Sequence, residues 1–302
     1  MAGNPGAAER ADVYTRITAE IIAAIEAGAG AWRMPWHHDG TAVTRPANVE
    51  SARRYRGINT LALWIAAHVA GYSDGIWGTY RQWQAAGAQV RKGERATTVV
   101  LWKEVRARDD EDGSEDGDGR RRMFARAFSV FNRAQVDGFE PKPGPSPVPA
   151  ACERLARAEA FFDALRIPMV EGNFRPHYRI REDRIYMPPP EAFTDPAARA
   201  GTLMHEAGHA TGAKHRLDRK FGERFTRHTL ALEECAAELT ASYILADLGV
   251  AHHPRPDHAA YVASWLAALK DEPRAIFTAA GKAQQAADWM HAQQPRAEEQ
   301  AA

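Results

Sequence analysis

Five prolines fall within the eleven residues 140–150 (EPKPGPSPVPA), a density that fixes φ, removes backbone donors and forbids both helix continuation and ladder pairing. The chain has to fold on either side of this segment, and its 302 residues are enough for two ordinary cores. The division read from it is a first domain at 1–139, a Pro-rich connector at 140–150 and a second domain at 151–302.

Before the connector, Val13, Ile17, Ile21 and Ile25 lie on one helical face over 12–27, and Gly28 and Gly30 then stop the helix. A second helix is expected over 59–70. Residues 97–106 and 121–131, rich in β-branched and aromatic side chains, predict a hairpin with a long Gly-rich acidic loop. After the connector the pattern predicts a helix over 151–165 and a strand pair or edge strand over 178–187, ending at the triple proline 188–190. Thr194 or Asp195 as a cap, with Pro196 in the first turn, starts a helix that ends near Gly212. Helices over 230–248, 259–270 and 276–291 follow, and the last dozen residues read as disordered. The expected fold class is α+β, with an α+β first domain and a mainly helical second one.

Net charge is zero, but it is unevenly laid out. Residues 1–139 hold 19 Lys+Arg against 17 Asp+Glu, and seven of those acids sit in the run 109–118 (DDEDGSEDGD). Such a run cannot bury apolar surface and reads as a loop tip on a basic body, one that attracts phosphates. No window approaches the roughly 20 apolar residues of a membrane span, and the first residues lack a secretory pattern. The two cysteines, Cys152 and Cys235, are far apart and read as buried small hydrophobes in a reducing compartment. These features predict a cytoplasmic protein with no membrane partner.

Within the helix expected after Pro196 stands His205-Glu206-Ala207-Gly208-His209. Four-residue spacing puts both imidazoles on one face, one turn apart, with Glu206 beside the first. A hydrolytic zinc site needs this arrangement. His205 and His209 bind Zn(2+), while Glu206, not itself a ligand, takes a proton from the bound water and returns it to the leaving amine. Two sources compete for the third ligand. His215 completes H-E-x-x-H-x-x-G-x-x-H, with Gly212 letting the chain turn back, but the methionine turn of that pattern is missing. The other source is the acidic cluster in EECAAELTAS, where Glu234 is the favoured ligand and Glu238, one turn on, would orient a histidine. A solvated face is the alternative for Glu233, Glu234 and Glu238. Tyr243 and Tyr261 are read as core tyrosines, with oxyanion stabilisation as the alternative.

Single strands are held by cations along the backbone and aromatic faces under the bases. The first half offers Arg53, Arg54, Arg56, Arg81, Arg91, Lys92 and Arg95 interleaved with Tyr55, Trp77, Tyr80 and Trp83. The seven cations, with Trp77 and Tyr80, are the candidate DNA contacts. A solvated surface of arginines over a tryptophan core is the alternative.

Taken in order, Tyr55-Arg56-Gly57-Ile58-Asn59, Trp77-Gly78-Thr79-Tyr80-Arg81-Gln82, Val90-Arg91-Lys92-Gly93-Glu94, Val130-Phe131-Asn132, HEAGHATG, Lys214-His215-Arg216-Leu217-Asp218-Arg219 and Tyr261-Val262-Ala263-Ser264-Trp265-Leu266 make the chain resemble the ArdC-type antirestriction proteins over nearly its whole length. The resemblance implies an N-terminal domain that binds single-stranded DNA, a zincin-like metallopeptidase domain with its third zinc ligand in Glu233-Glu234, and a role in protecting incoming plasmid or other mobile DNA. The acidic insertion 109–118, and Ala210 where an aromatic residue is often found, depart from the family pattern. Three rival functions remain open: a zinc peptidase cutting a particular DNA-associated protein, a DNA-binding module whose zinc site is structural or vestigial, and a zinc-free regulator.

Overall fold

The structure is a computed structural model that describes residues 13–28, 45–105, 122–140, 149–222, 226–251 and 258–295, with backbone alone at 27–28, 103–105, 122–125 and 258–264. The acidic run and most of the Pro-rich connector lie outside the described residues. Mixed helices and strands make the fold α+β, as expected.

The first half opens with α1 (Val13–Gly28), then β1 (Ala47–Asn48) and α2 (Ile58–Ala70). Next come β2 (Ile76–Gly78), α3 (Tyr80–Ala85), β3 (Gln89–Val90), β4 (Thr97–Val105), β5 (Arg122–Asn132) and β6 (Val136–Asp137). The expected hairpin is β4 and β5, antiparallel from Thr97 opposite Val130 to Val105 opposite Arg122. It closes a four-stranded sheet of order β1-β2-β5-β4, while β3 and β6 form a separate pair. Asn59 extends the β4 edge, its amide exchanging two 2.7 Å hydrogen bonds with the backbone of Val100. Sequence reasoning missed α3, although Thr79 and Gln82 cap it reciprocally, a pairing readable from Thr-x-x-Gln.

The second half holds α4 (Ala151–Ala164), β7 (Met169–Glu171), β8 (His177–Arg179), β9 (Arg184–Met187), α5 (Pro196–Thr211), α6 (Arg227–Leu248), α7 (His258–Asp271) and α8 (Ala275–Ala292). A three-stranded sheet of order β7-β9-β8 lies against α5. Asp195 starts α5 by accepting from the Ala198 amide at 2.8 Å, with Pro196 at the first position. Thr226 and Thr229 start α6, and Gly249, at φ 68°, ends it in the left-handed conformation. The C-terminal expectation is corrected in part: α8 continues to Ala292, and the Gln294 amide donates to the Phe161 carbonyl at 3.1 Å. Cys235 is buried as expected, whereas Cys152 is exposed, because the first turn of α4 presents it outward.

One hydrophobic cluster crosses the connector, joining Ile17, Ile21, Ile58, Leu61 and Ile65 of the first half to Leu203, Ile244, Ile276 and Ala279 of the second. Polar contacts reinforce it. Tyr243 donates to the Gly57 carbonyl at 2.9 Å, and the Gly57 amide donates to Gln284 at 3.0 Å. Gly57 sits at φ 53°, a backbone state that glycine adopts without a Cβ penalty.

The helices α5 and α6 cross closely at Gly208, where a Cβ would stand 3.1 Å from both the Cα and the carbonyl oxygen of Ala237. Small residues on both sides allow this approach. Gly208→Val is expected to force the helices apart and cost about 1–3 kcal/mol by overpacking, read as a lowered denaturation midpoint.

Candidate functional site

The close crossing sets the beginning of α6 beside the end of α5, and three side chains meet there. His205, His209 and Glu234 bring one potential ligand atom each within 4.8 Å of one another. The two Nε2 atoms are 3.0 Å apart; Glu234 Oε2 is 3.4 Å from His205 and Oε1 is 3.5 Å from His209. His205 is buried and Glu234 nearly so.

Each imidazole is held from behind. Nδ1 of His205 bonds to Oε2 of the buried Glu238 at 3.1 Å, and Nδ1 of His209 to Oε1 of Glu233 at 3.0 Å. A carboxylate only accepts, so each Nδ1 carries the hydrogen and, in a neutral ring, each Nε2 presents a lone pair to the other. Two lone pairs 3.0 Å apart beside a carboxylate repel one another unless a positive charge lies among them. Burial alone would pull the His209 pKa down, but Glu233 and Glu234, aided by the charge of Glu206, push it up to about 10. Burial pushes Glu233 up, and Arg219 and His209 outweigh it, leaving its pKa at about 2. Glu234 is likewise held well below the carboxylate range by the two histidines against the opposing effect of burial. This donor set fits a divalent cation.

Glu206 is buried, next to His205 on α5. His215, the rival ligand, is more than half exposed and bonds to Asp183 at 3.1 Å; it is not among the converging atoms. The turn after Gly212 brings back Arg219 instead, whose backbone amide donates to the Gly212 carbonyl at 3.1 Å. Glu233 and Glu238 are no solvated face, since both bond to ring nitrogens. Tyr243 is a core residue, fully buried with its ring tilted against that of Trp64, and its pKa is raised by burial. The side chain of Tyr261 lies outside the described residues.

The candidate DNA contacts lie in different surroundings. Arg53, Arg81, Lys92 and Arg95 are exposed. Tyr80, Arg91 and Lys92 line an open depression of about 560 Å³ together with Phe131, Glu94 and Asp137; Arg91 pairs there with Glu94 at 2.8 Å and Asp137 at 3.3 Å. Arg54 and Arg56, also exposed, reach across to Asp247 of α6 and Asp288 of α8. Trp77 requires a correction. It has no exposed surface and packs with Leu63, Val99 and Val130, because β2 lies between β1 and β5 with its tryptophan face against α2, so no base can stack on it here. Trp83 is equally buried, its indole N–H donating to the Phe131 carbonyl at 3.0 Å.

A family model for the N-terminal domain of anti-restriction factor ArdC matches residues 11–131, and one for a zincin-like metallopeptidase matches residues 156–282. The uncharacterized protein y4eC of Sinorhizobium fredii (strain NBRC 101917 / NGR234) is 54% identical over 95% of this chain and 94% of its own length. Two Escherichia coli proteins named DNA primase TraC are each 35% identical over 92% and 91% of this chain, which spans 27% and 19% of their lengths. Crystal structures of antirestriction ArdC from plasmid R388 align over 93% of this chain. The metal-free form does so at 38% identity with a TM-score of 0.75 and covers 97% of that chain; the Mn(II)-bound form does so at 37% with 0.73 and covers 98%. With both family models matched in order and near full-length likeness to a solved member, the chain belongs to the ArdC family of antirestriction proteins.

Proposed function

We propose that the chain binds single-stranded DNA through residues 1–139 and holds a divalent metal ion, zinc in the working enzyme, at His205, His209 and Glu234 of residues 151–302. There Glu206 performs peptidase-type hydrolysis on a protein substrate, and the whole protects incoming mobile DNA from restriction in the cytoplasm. The observation that carries this reading is the convergence of two imidazole Nε2 atoms on Glu234 with both Nδ1 atoms already engaged. The Mn(II)-bound R388 neighbour supports a divalent ion, and the relatives named DNA primase support work on DNA. Among the described residues no helix is long and apolar enough to cross a membrane.

A bound divalent ion supplies Lewis acidity at the open side of the cluster. The chain's own residues do the rest. Glu238 and Glu233 keep the imidazoles in the Nδ1–H tautomer and fix their planes. Glu206 takes the proton of the attacking water and passes it to the leaving amine. In the first half, the exposed Arg53, Arg81, Lys92 and Arg95 hold phosphates, and Tyr80 offers the exposed ring on which a base stacks.

Titrating the intact protein into labelled single-stranded and duplex oligonucleotides across a salt series tests the DNA half. Tighter binding to the single strand, weakening with salt, is expected, and Lys92→Ala should reduce the logarithmic salt slope by about 0.7, as for one lost phosphate contact on a single strand. Equal affinity for the two forms would overturn the assignment.

A further inference from the structure

A buried arginine lies behind the candidate metal site. The Arg219 side chain is 1% exposed and makes four hydrogen bonds to three groups. Its Nε donates to Glu233 Oε2 at 2.9 Å and its Nη2 to Glu233 Oε1, forming a two-pronged fork. Its Nη1 donates to Thr211 Oγ1 at 2.7 Å, and Nη2 also donates to the Gly208 carbonyl at 2.9 Å. Gly208 and Thr211 belong to the last turn of α5, where carbonyls lack helical partners and a cation is favourable. Glu233 belongs to α6. One guanidinium therefore ties the end of the helix bearing both histidines to the beginning of the helix bearing Glu234.

Gly212 gives this arginine its space, for a Cβ there would stand 3.1 Å from Arg219 Nη2. The spacing H-x-x-G after His209 thus serves Arg219 rather than a third histidine ligand. The two histidines also differ in support. Glu238, which holds His205, is fully buried inside α6, whereas Glu233, which holds His209, is a quarter exposed. Glu233 lies one residue from Glu234 on the same helix, about 100° around it, so it approaches His209 from behind only if its carboxylate is held in that direction.

We propose that Arg219 is a positioning residue of the metal site, acting through Glu233 to hold the His209 ring with Nε2 toward Glu234 and so setting the affinity for the ion. This rests on the metal reading given above. A point charge cannot replace the fork: lysine has three donors on one atom and cannot span Glu233, Thr211 and Gly208 together.

The test is a double-mutant cycle on the full chain, with Mn(II) and Zn(II) affinity measured separately by calorimetry and the melting midpoint recorded for each variant. Arg219→Lys and Glu233→Gln are each expected to weaken the ion by about 10–100-fold. The double variant should be little weaker than either single one, since both remove the same support. Long-range ¹H–¹⁵N spectra of the Zn(II)-loaded protein should show one sharp His209 form with its hydrogen on Nδ1 in the unsubstituted chain, and exchange-broadened His209 signals in both variants. Affinity unchanged in Glu233→Gln, or losses that add in the double variant, would overturn the proposal even if Arg219→Lys lowered the melting midpoint. Should Arg219→Lys fail to fold, Glu233→Gln alone decides. Absence of ion binding by the unsubstituted chain would instead overturn the metal reading, and this proposal with it.

Discussion

Substituting His205 with alanine is expected to weaken divalent-ion binding by about a hundredfold to ten-thousandfold. Zinc sites of the structural kind bind with roughly 10–16 kcal/mol shared among three or four ligands, which is about 3–5 kcal/mol for one. His205 is buried, and its Nε2 lies close to both other donor atoms, so its loss removes one converging nitrogen donor and the ring that Glu238 holds. Equilibrium dialysis with metal analysis reads the outcome, and unchanged stoichiometry and affinity would remove the site from its assigned position. The companion variant Glu206→Gln should keep the ion and lose hydrolysis, because it retains the side chain's shape but not its basicity. If that variant still protects incoming DNA, coating of the strand rather than cleavage is the biological activity. Ion and proton also compete. With His209 pushed up to about 10 by Glu233 and Glu234 against burial, its ring carries a proton across the neutral range that the ion must displace. Affinity should therefore rise with pH between 6 and 8, by about tenfold per unit for each proton displaced.

Asp247→Ala is expected to destabilise the whole protein by about 3–5 kcal/mol. The Asp247 side chain is 3% exposed and receives Arg45 at 3.3 Å, Arg54, and His291 at 2.9 Å. Arg45 is itself buried, with its guanidinium 4.7 Å from the Tyr243 ring centroid. Removing the carboxylate leaves that charge in the core with its main counter-ion gone, the costly way to break a buried pair. Arg54→Ala makes the contrast, since the Arg54 side chain is about half exposed and such a pair contributes only about 0–1 kcal/mol. Because Arg45 comes from the first half and Asp247 from the helix that bears Glu234, the loss should appear as an earlier single transition in chemical denaturation, whichever half is probed. A change below about 1 kcal/mol, or two separate transitions, would show that the halves are stabilised independently.

Much of the molecule can be read from residues close together in sequence. The helix from Pro196 to Thr211 follows from Asp195, Pro196 and Gly212, because caps act within one turn. The pairing of His205 with His209 follows from helical spacing, and the β4–β5 hairpin from its β-branched and aromatic runs. Glu234 was within reach because a carboxylate cluster on an Ala/Leu-rich helix is unusual.

Tertiary structure decided the rest, and it did so wherever a side chain's role depends on what lies across a gap. Trp77 and Tyr80 are three residues apart, yet one is enclosed between strands and α2 while the other is 43% exposed; composition gives both the same aromatic face. Glu233 and Glu234 are neighbours, and only the crossing at Gly208 determines that one faces both imidazole Nε2 atoms and the other lies behind a ring. His215 and Arg219 both follow Gly212, and the direction in which the chain returns places the arginine, not the histidine, under the end of α5. Local periodicity sets which residues share a face. Only packing between elements distant in sequence sets what that face meets.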